Sequence, residues 1–313
     1  MNLSVISGNA NPALAEAVAR ILGTKLIART LQRFPDSELH IEIQESVRTA
    51  DVYIIQPTSP PVDSHLMELL MLADACRRAG AARITAVVPY IGYARQDRRS
   101  SGREPVGARL VADLVAAAHI DRIVAMDTHT TGLEGVFPVP LEHLSAVDTL
   151  AAALATRMPS NGVVMSPDLG GVKLAERYSR KLKLPLAIVH KTRLSGLNVK
   201  AVSIVGDVKG RTPIVVDDMI STGGTIEAAL HAASEAGAAR GPMVAATHAV
   251  LVGPAVERLK PLGLTRLVVS DSVALSTGAD VLPIEVASIA PVLAEAISRL
   301  NQGKSLGDLL VRA

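Results

Sequence analysis

The chain has 313 residues, enough for two domains of ordinary size, and 49% of them are apolar against 20% charged, a composition that excludes disorder and low complexity. Lys and Arg (32) nearly balance Asp and Glu (30), giving a formal net charge of +2, so no global basic field asks for nucleic acid and any anion site must be local. The single cysteine, Cys76, excludes an internal disulfide and a thiolate metal cluster, and no run of apolar residues reads as a membrane span.

The first strand-like run, Leu3–Ile6, is not preceded by the basic-then-apolar pattern of a signal peptide. With a lone cysteine, this points to a reducing, cytoplasmic setting. Further along come a strand-like run at Val52–Gln56, a helix-like stretch at Leu66–Ala79, a strand at Ile84–Pro89, a helix at Val106–Ala118 and a strand at Arg122–Met126. The second half repeats the alternation: Gly162–Ser166, helix Leu169–Leu182, Leu186–His190, Pro213–Val216, helix Thr225–Ala236, Met243–Ala246 and Arg266–Val269. Strand then helix, repeated, indicates an α/β protein with mainly parallel sheets flanked by helices. Coverage on both faces explains why the strands read as unbroken Val/Ile/Ala runs. The halves also look alike, since each has a strand, a polar loop, an Ala-rich helix and a strand ending in Asp-Thr-His (127–129) or Ala-Thr-His (246–248). Two related domains are expected, 1–145 and 146–313, with the last helix-like segment, Pro291–Leu300, able to pack back on the first.

The sharpest signal is Pro213-Ile-Val-Val-Asp-Asp-Met-Ile-Ser-Thr-Gly-Gly-Thr225. An apolar strand ends in the carboxylates Asp217 and Asp218, and then Ser221, Thr222, Gly223, Gly224 and Thr225 lead into a helix. Glycines let the backbone turn tightly and bring its amides close to a ligand, hydroxyls add donors, and the helix N-terminus offers free N–H groups. That is a cradle for a phosphate monoester. The acidic pair suits a ligand that also carries vicinal hydroxyls, and a ribose phosphate meets both demands. Read blandly, the same residues are a capped helix after a solvated Asp-Asp turn.

Neither common nucleotide fingerprint occurs, so other segments must hold a nucleotide. Phe34-Pro-Asp-Ser-Glu38 puts one of only two phenylalanines beside the carboxylates Asp36 and Glu38, an arrangement that suits a base needing both stacking and hydrogen-bond acceptors. Read alone, it is a turn after a strand. Tyr93-Ala-Arg-Gln-Asp-Arg-Arg99 gathers Arg95, Gln96, Arg98 and Arg99 in one loop, and clustered guanidinium forks suit a polyphosphate.

The Asp-Asp-Met-Ile-Ser-Thr-Gly-Gly-Thr segment resembles the phosphoribosyl-diphosphate loop shared by type I phosphoribosyltransferases and ribose-phosphate pyrophosphokinases. The Phe34 and Arg95 segments, with Ser46-Val-Arg48, Arg103-Glu-Pro105, Ser166-Pro-Asp168 and Gly253-Pro-Ala-Val-Glu-Arg258, extend the likeness over nearly the whole chain and favour the pyrophosphokinases. The resemblance implies two type I phosphoribosyltransferase-like domains and a transfer of the β,γ-diphosphate of ATP to C1 of ribose 5-phosphate, feeding nucleotide biosynthesis. It implies that Asp217 and Asp218 hold the ribose hydroxyls and 221–225 the 5-phosphate, although Ser221 stands where many members carry a third Asp. Phe34, Asp36, Glu38, Arg95, Gln96, Arg98 and Arg99 would contact ATP. His129 and Asp168 would face the Mg²⁺ that accompanies it, and Lys191 and Arg193, in a polar loop after Leu186–His190, would act on the transition state. Asp127 and His129 are expected on one side of an extended chain. A homo-oligomer follows too, because the Phe-Pro-Asp loop of the family reaches a neighbouring subunit's site. Ser46 and Arg48 match the family's allosteric segment, but Leu174 replaces an expected arginine, so phosphate activation and ADP allostery should be weakened. The rival readings are a phosphoribosyltransferase and a non-catalytic partner of the synthetase.

Overall fold

The computed structural model describes the backbone of residues 2–193 and 200–311, and the side chains of these residues other than 191–193 and 200–202. In chain order the elements are β1 (Leu3–Ser7), α1 (Pro12–Ile21), β2 (Arg29–Arg33), β3 (Leu39–Ile43), β4 (Asp51–Ile55), α2 (Val62–Arg78), β5 (Arg83–Val88), α3 (Gly107–Ala117), β6 (Arg122–Met126) and β7 (Leu141–Leu144). There follow α4 (Val147–Ala155), β8 (Gly162–Ser166), α5 (Val172–Leu182), β9 (Leu186–Arg193), β10 (Lys200–Val205), β11 (Thr212–Ile220), α6 (Gly224–Glu235), β12 (Met243–Ala249), α7 (Ala255–Leu259), β13 (Arg266–Ser270), β14 (Ile284–Ala287) and α8 (Ala290–Asn301). The chain divides into two compact units. One comprises Met1–Ser145, Ser272–Ala274 and Ile289–Ala313, the other Ala146–Asp271 and Leu275–Ser288.

In the first unit five parallel strands lie in the order β1-β4-β5-β6-β7. Every residue of β4 is buried, as expected of a parallel sheet covered on both faces. Ile6, Val52, Ile54, Ala86 and Ile123 from the sheet meet Leu69 and Leu72 of α2 and Val111 and Val115 of α3. Helix α1 starts as its sequence dictates: Asn11 Oδ1 accepts the Leu14 N–H at 3.2 Å, and Pro12 occupies the first turn, where it costs no hydrogen bond. The end of α8 is fastened to the amino ends of β4 and β5 by a buried carboxylate. Asp51 accepts from Arg83 Nε (2.8 Å), Asn301 Nδ2 (2.9 Å) and the Tyr53 hydroxyl (2.8 Å), while Arg83 also donates to the Leu300 carbonyl at 3.1 Å. Burial alone would raise the Asp51 carboxyl, but these donors outweigh it and hold the pKa below its ordinary value.

The second unit carries seven strands in the order β10-β9-β8-β11-β12-β13-β14, parallel except for the β9–β10 hairpin at one edge. Val163, Val215, Val244 and Leu267 pack with Ile226 and Leu230 of α6 and with Leu259. The fold class read from the alternation is the one observed. Among the described residues no helix is long and apolar enough to cross a membrane.

Three local readings need correction. Strand β11 does not end before its acidic pair but runs on to Ile220, because β12 continues beside it and pairs Ile220 with Ala249. Strand β9 likewise includes Lys191 and Arg193, since antiparallel β10 pairs with it as far as Arg193. The chain after β6 is not extended, for Asp127 takes a left-handed φ of 32°, so the alternation argument placing Asp127 and His129 on one side does not apply.

Candidate active site

The phosphate loop is built in the second unit by β11, residues 221–223 and α6. Gly223 sits at the N-cap in the left-handed region (φ 77°), and no side chain caps the helix, so its first amides remain available to a ligand. The carbonyls around this turn are all engaged. The Leu251 N–H donates to the Ile220 carbonyl (2.9 Å) and the Val252 N–H to the Ser221 carbonyl (3.0 Å). Arg258 Nη1 donates to the Thr222 carbonyl at 3.2 Å, and the Gly223 carbonyl accepts the Glu227 N–H at 2.9 Å. Residues 221–223 can therefore offer amides and hydroxyls, and the carbonyls of 220–223 are turned to other partners rather than to an anion. Ser221 and Thr225 are half-buried and Thr222 is exposed.

Upstream in the same strand lie Asp217 and Asp218, both half-buried. Asp217 Oδ1 accepts the Asp218 N–H at 2.9 Å, and Asp218 Oδ1 accepts the Met219 N–H at 2.9 Å. Desolvation of its carboxyl, followed by the Asp218 carboxylate and then that of Asp168, pushes the Asp217 pKa well above its ordinary value. Asp168 follows β8, the strand beside β11. Its Oδ1 accepts from the amides of Gly170 (2.9 Å) and Gly171 (3.1 Å) just before α5, a local side-chain-to-backbone turn that fixes the carboxylate. Ionising Asp217 is thus disfavoured first by its burial and then by the neighbouring carboxylates. Among the described residues no group of three or more His, Cys, Asp or Glu is arranged to hold a metal ion. The carboxylates of Asp217, Asp218 and Asp168 are oxygen donors, the kind a hard cation prefers.

In the first unit the Arg95 loop follows β5 and His129 follows β6, at the carboxyl ends of adjacent parallel strands, where α/β sheets present ligand sites. Arg95, Gln96, Arg98, Arg99 and His129 are exposed. None of the three arginines forms an ion pair among the described residues. The Gln96 carbonyl accepts the Ala108 N–H at 3.1 Å, tying the loop to α3. The adjoining turn is closed by Glu104, which accepts from the Ser100 hydroxyl (2.6 Å), the Ser100 N–H (2.8 Å) and the Ser101 N–H (2.9 Å). These donors lower its pKa to about 2.

Phe34, Asp36 and Glu38 occupy the tip of the β2–β3 hairpin, a two-stranded sheet of its own. The Phe34 N–H donates to the Glu38 carbonyl at 2.8 Å, the Ser37 N–H to the Phe34 carbonyl at 2.9 Å, and the Glu38 N–H to Asp36 Oδ1 at 3.1 Å. The turn is thus closed on itself. Phe34 stays 46% exposed, with its ring 5.2 Å from that of His40, an outlying aromatic that the hairpin does not bury. The side chains of Lys191 and Arg193 lie outside the described residues.

Arg258 had no role in the reading of the sequence. Its signal was there in Gly253-Pro-Ala-Val-Glu-Arg258, but only the fold brings that segment under the phosphate loop.

The chain is similar to known proteins along nearly its full length. A family model described as the N-terminal domain of ribose phosphate pyrophosphokinase matches residues 3–118, and a phosphoribosyl transferase domain model matches residues 142–266. Ribose-phosphate pyrophosphokinases of Rhodopirellula baltica and Bacillus subtilis are 44% and 42% identical over 311 and 308 residues. Those matches cover 98% of this chain in both cases, and 98% and 97% of the relatives. The crystal structure of phosphoribosylpyrophosphate synthetase from Mycobacterium smegmatis superposes with a TM-score of 0.89 at 40% identity, covering 97% of this chain and all of that one. By its sequence along nearly its full length, and by its fold, the chain belongs to the ribose-phosphate pyrophosphokinase family.

Proposed function

We propose that this chain transfers the β,γ-diphosphate of ATP to the C1 hydroxyl of ribose 5-phosphate, giving phosphoribosyl diphosphate and AMP. The observation that carries the reading is the turn at 220–223, whose carbonyls are engaged and whose helix has no side-chain cap, preceded by a carboxylate pair suited to ribose hydroxyls. In the transfer, the C1 oxygen attacks the β-phosphorus and the bond from that phosphorus to the α,β-bridging oxygen breaks. AMP leaves with the bridging oxygen, and the hydroxyl proton is lost. Such transfers are accelerated mainly by positioning and by neutralising charge as it spreads.

Residues 221–225 hold the 5-phosphate, and Asp217 and Asp218 accept from the ribose hydroxyls. Phe34 stacks on the adenine, and Asp36 and Glu38 accept from the nucleoside. Arg95, Gln96, Arg98 and Arg99 bind the base and the phosphates. His129 and Asp168 face the Mg²⁺ carried with ATP, which supplies charge neutralisation on the phosphate oxygens. Lys191 and Arg193 stabilise the transition state, a role resting on family resemblance. The protein works as a homo-oligomer in the cytoplasm, with the Phe34 hairpin serving a neighbouring subunit.

Phosphorus NMR of a reaction with ATP, Mg²⁺ and ribose 5-phosphate tests the point of attack. AMP and a sugar carrying a diphosphate at C1 are expected in equal amounts. ADP with a sugar carrying only an added monophosphate would place the attack on the γ-phosphorus and contradict the reading.

A further inference from the structure

The segment 251–259 supports the phosphate loop in three separate ways. Its backbone amides at Leu251 and Val252 hold the Ile220 and Ser221 carbonyls. Helix α7 packs against Gly223, where an added Cβ would lie 3.4 Å from the Ala255 carbonyl and 3.5 Å from Leu259 Cγ. Arg258 reaches back over the turn, donating Nη1 to the Thr222 carbonyl at 3.2 Å and placing Nε 3.7 Å from Glu227 Oε2. Gly224 makes room for it, because a Cβ there would come within 3.2 Å of Arg258 Nη1.

Glu227 sits in the first turn of α6. A carboxylate there favours the helix dipole but opposes a phosphate at the same terminus. Both partners are more than a third exposed, so their attraction contributes little to folding stability. Its larger consequence falls on a dianion bound at the loop, which would otherwise meet the Glu227 charge uncompensated.

We propose that Arg258 is a positioning residue for ribose 5-phosphate, turning the Thr222 carbonyl away from the phosphate and neutralising Glu227 beside it. This rests on the ribose 5-phosphate reading of loop 221–225.

The test is steady-state kinetics of the full-length protein with each substrate varied in turn. Arg258→Ala should raise KM for ribose 5-phosphate about 10-fold, the size of one charge-assisted contact, and leave KM for ATP within about twofold. The thermal midpoint should not move. Arg258→Lys, which keeps the charge but loses the fork, should fall between the two. Adding Glu227→Gln to Arg258→Ala should recover about threefold of the lost affinity, because the uncompensated carboxylate is gone. An unchanged ribose 5-phosphate KM in Arg258→Ala would overturn the proposal. So would an equal rise for both substrates, or no recovery in the double variant. Wild-type protein with no ribose 5-phosphate-dependent turnover would sink the underlying reading instead.

Discussion

Asp217 is held in conflict with itself. Part of the residue reaches solvent, yet its carboxyl is desolvated and faces Asp218 and Asp168. Its pKa in the fold lies above the unfolded value, so the folded chain binds this proton more tightly than the unfolded chain does. Stability must therefore fall as pH rises from the ordinary carboxylate range through the raised value. Asp217→Asn removes the titration and should melt a few degrees above the wild type at pH 8. That advantage should shrink as the pH is lowered and vanish in acid, while ribose 5-phosphate binding is lost. A melting difference independent of pH would mean that ionisation of Asp217 is not strained in the fold. The trade is a familiar one, in which a site kept electrostatically unsatisfied is satisfied by its ligand at a cost in stability.

Elements differ in how much of themselves they declare in sequence. The parallel strands were legible as Val/Ile/Ala runs because both faces are covered. The turn into α6 was legible because Gly-Gly between an apolar strand and an Ala-rich helix has few other uses. Polar strand ends were not. The extension of β11 through Asp217 and Asp218 depends on β12 running alongside, and that of β9 through Lys191 and Arg193 on its pairing with β10. The β2–β3 hairpin was missed as an element, although Leu31, Ile41 and Ile43 alternate with polar residues and pack on the core. Its tip matters most, since Phe34 is exposed and adds nothing to that core. Phe34→Ala should leave the thermal midpoint unchanged and raise KM for ATP about 5- to 30-fold, the equivalent of about 1–2 kcal/mol of base stacking. Retained ATP affinity would remove the hairpin from the nucleotide site. Arg258 was illegible for another reason: a charged residue on a five-residue helix carries no periodic signal, and only tertiary packing places it against Thr222.

At the scale of the whole molecule, the sequence halves echo each other, and each unit is a mainly parallel sheet with its polar loops at the carboxyl ends of strands. The residues assigned to ATP lie in the first unit and those assigned to ribose 5-phosphate in the second. If the Phe34 hairpin serves a neighbouring subunit, variants impaired at Phe34 and at Lys191 should, at ATP below the raised KM, show more activity when mixed and reassembled than the two alone, because some sites then receive both intact residues. Mixtures that never regain activity would confine each site to one chain. The most direct measurement follows AMP release from ATP and Mg²⁺, with and without ribose 5-phosphate. AMP that appears only with the sugar, in step with the diphosphorylated product, is the expected result. No AMP at any sugar, phosphate or protein concentration would contradict the assignment of this chain as a catalyst.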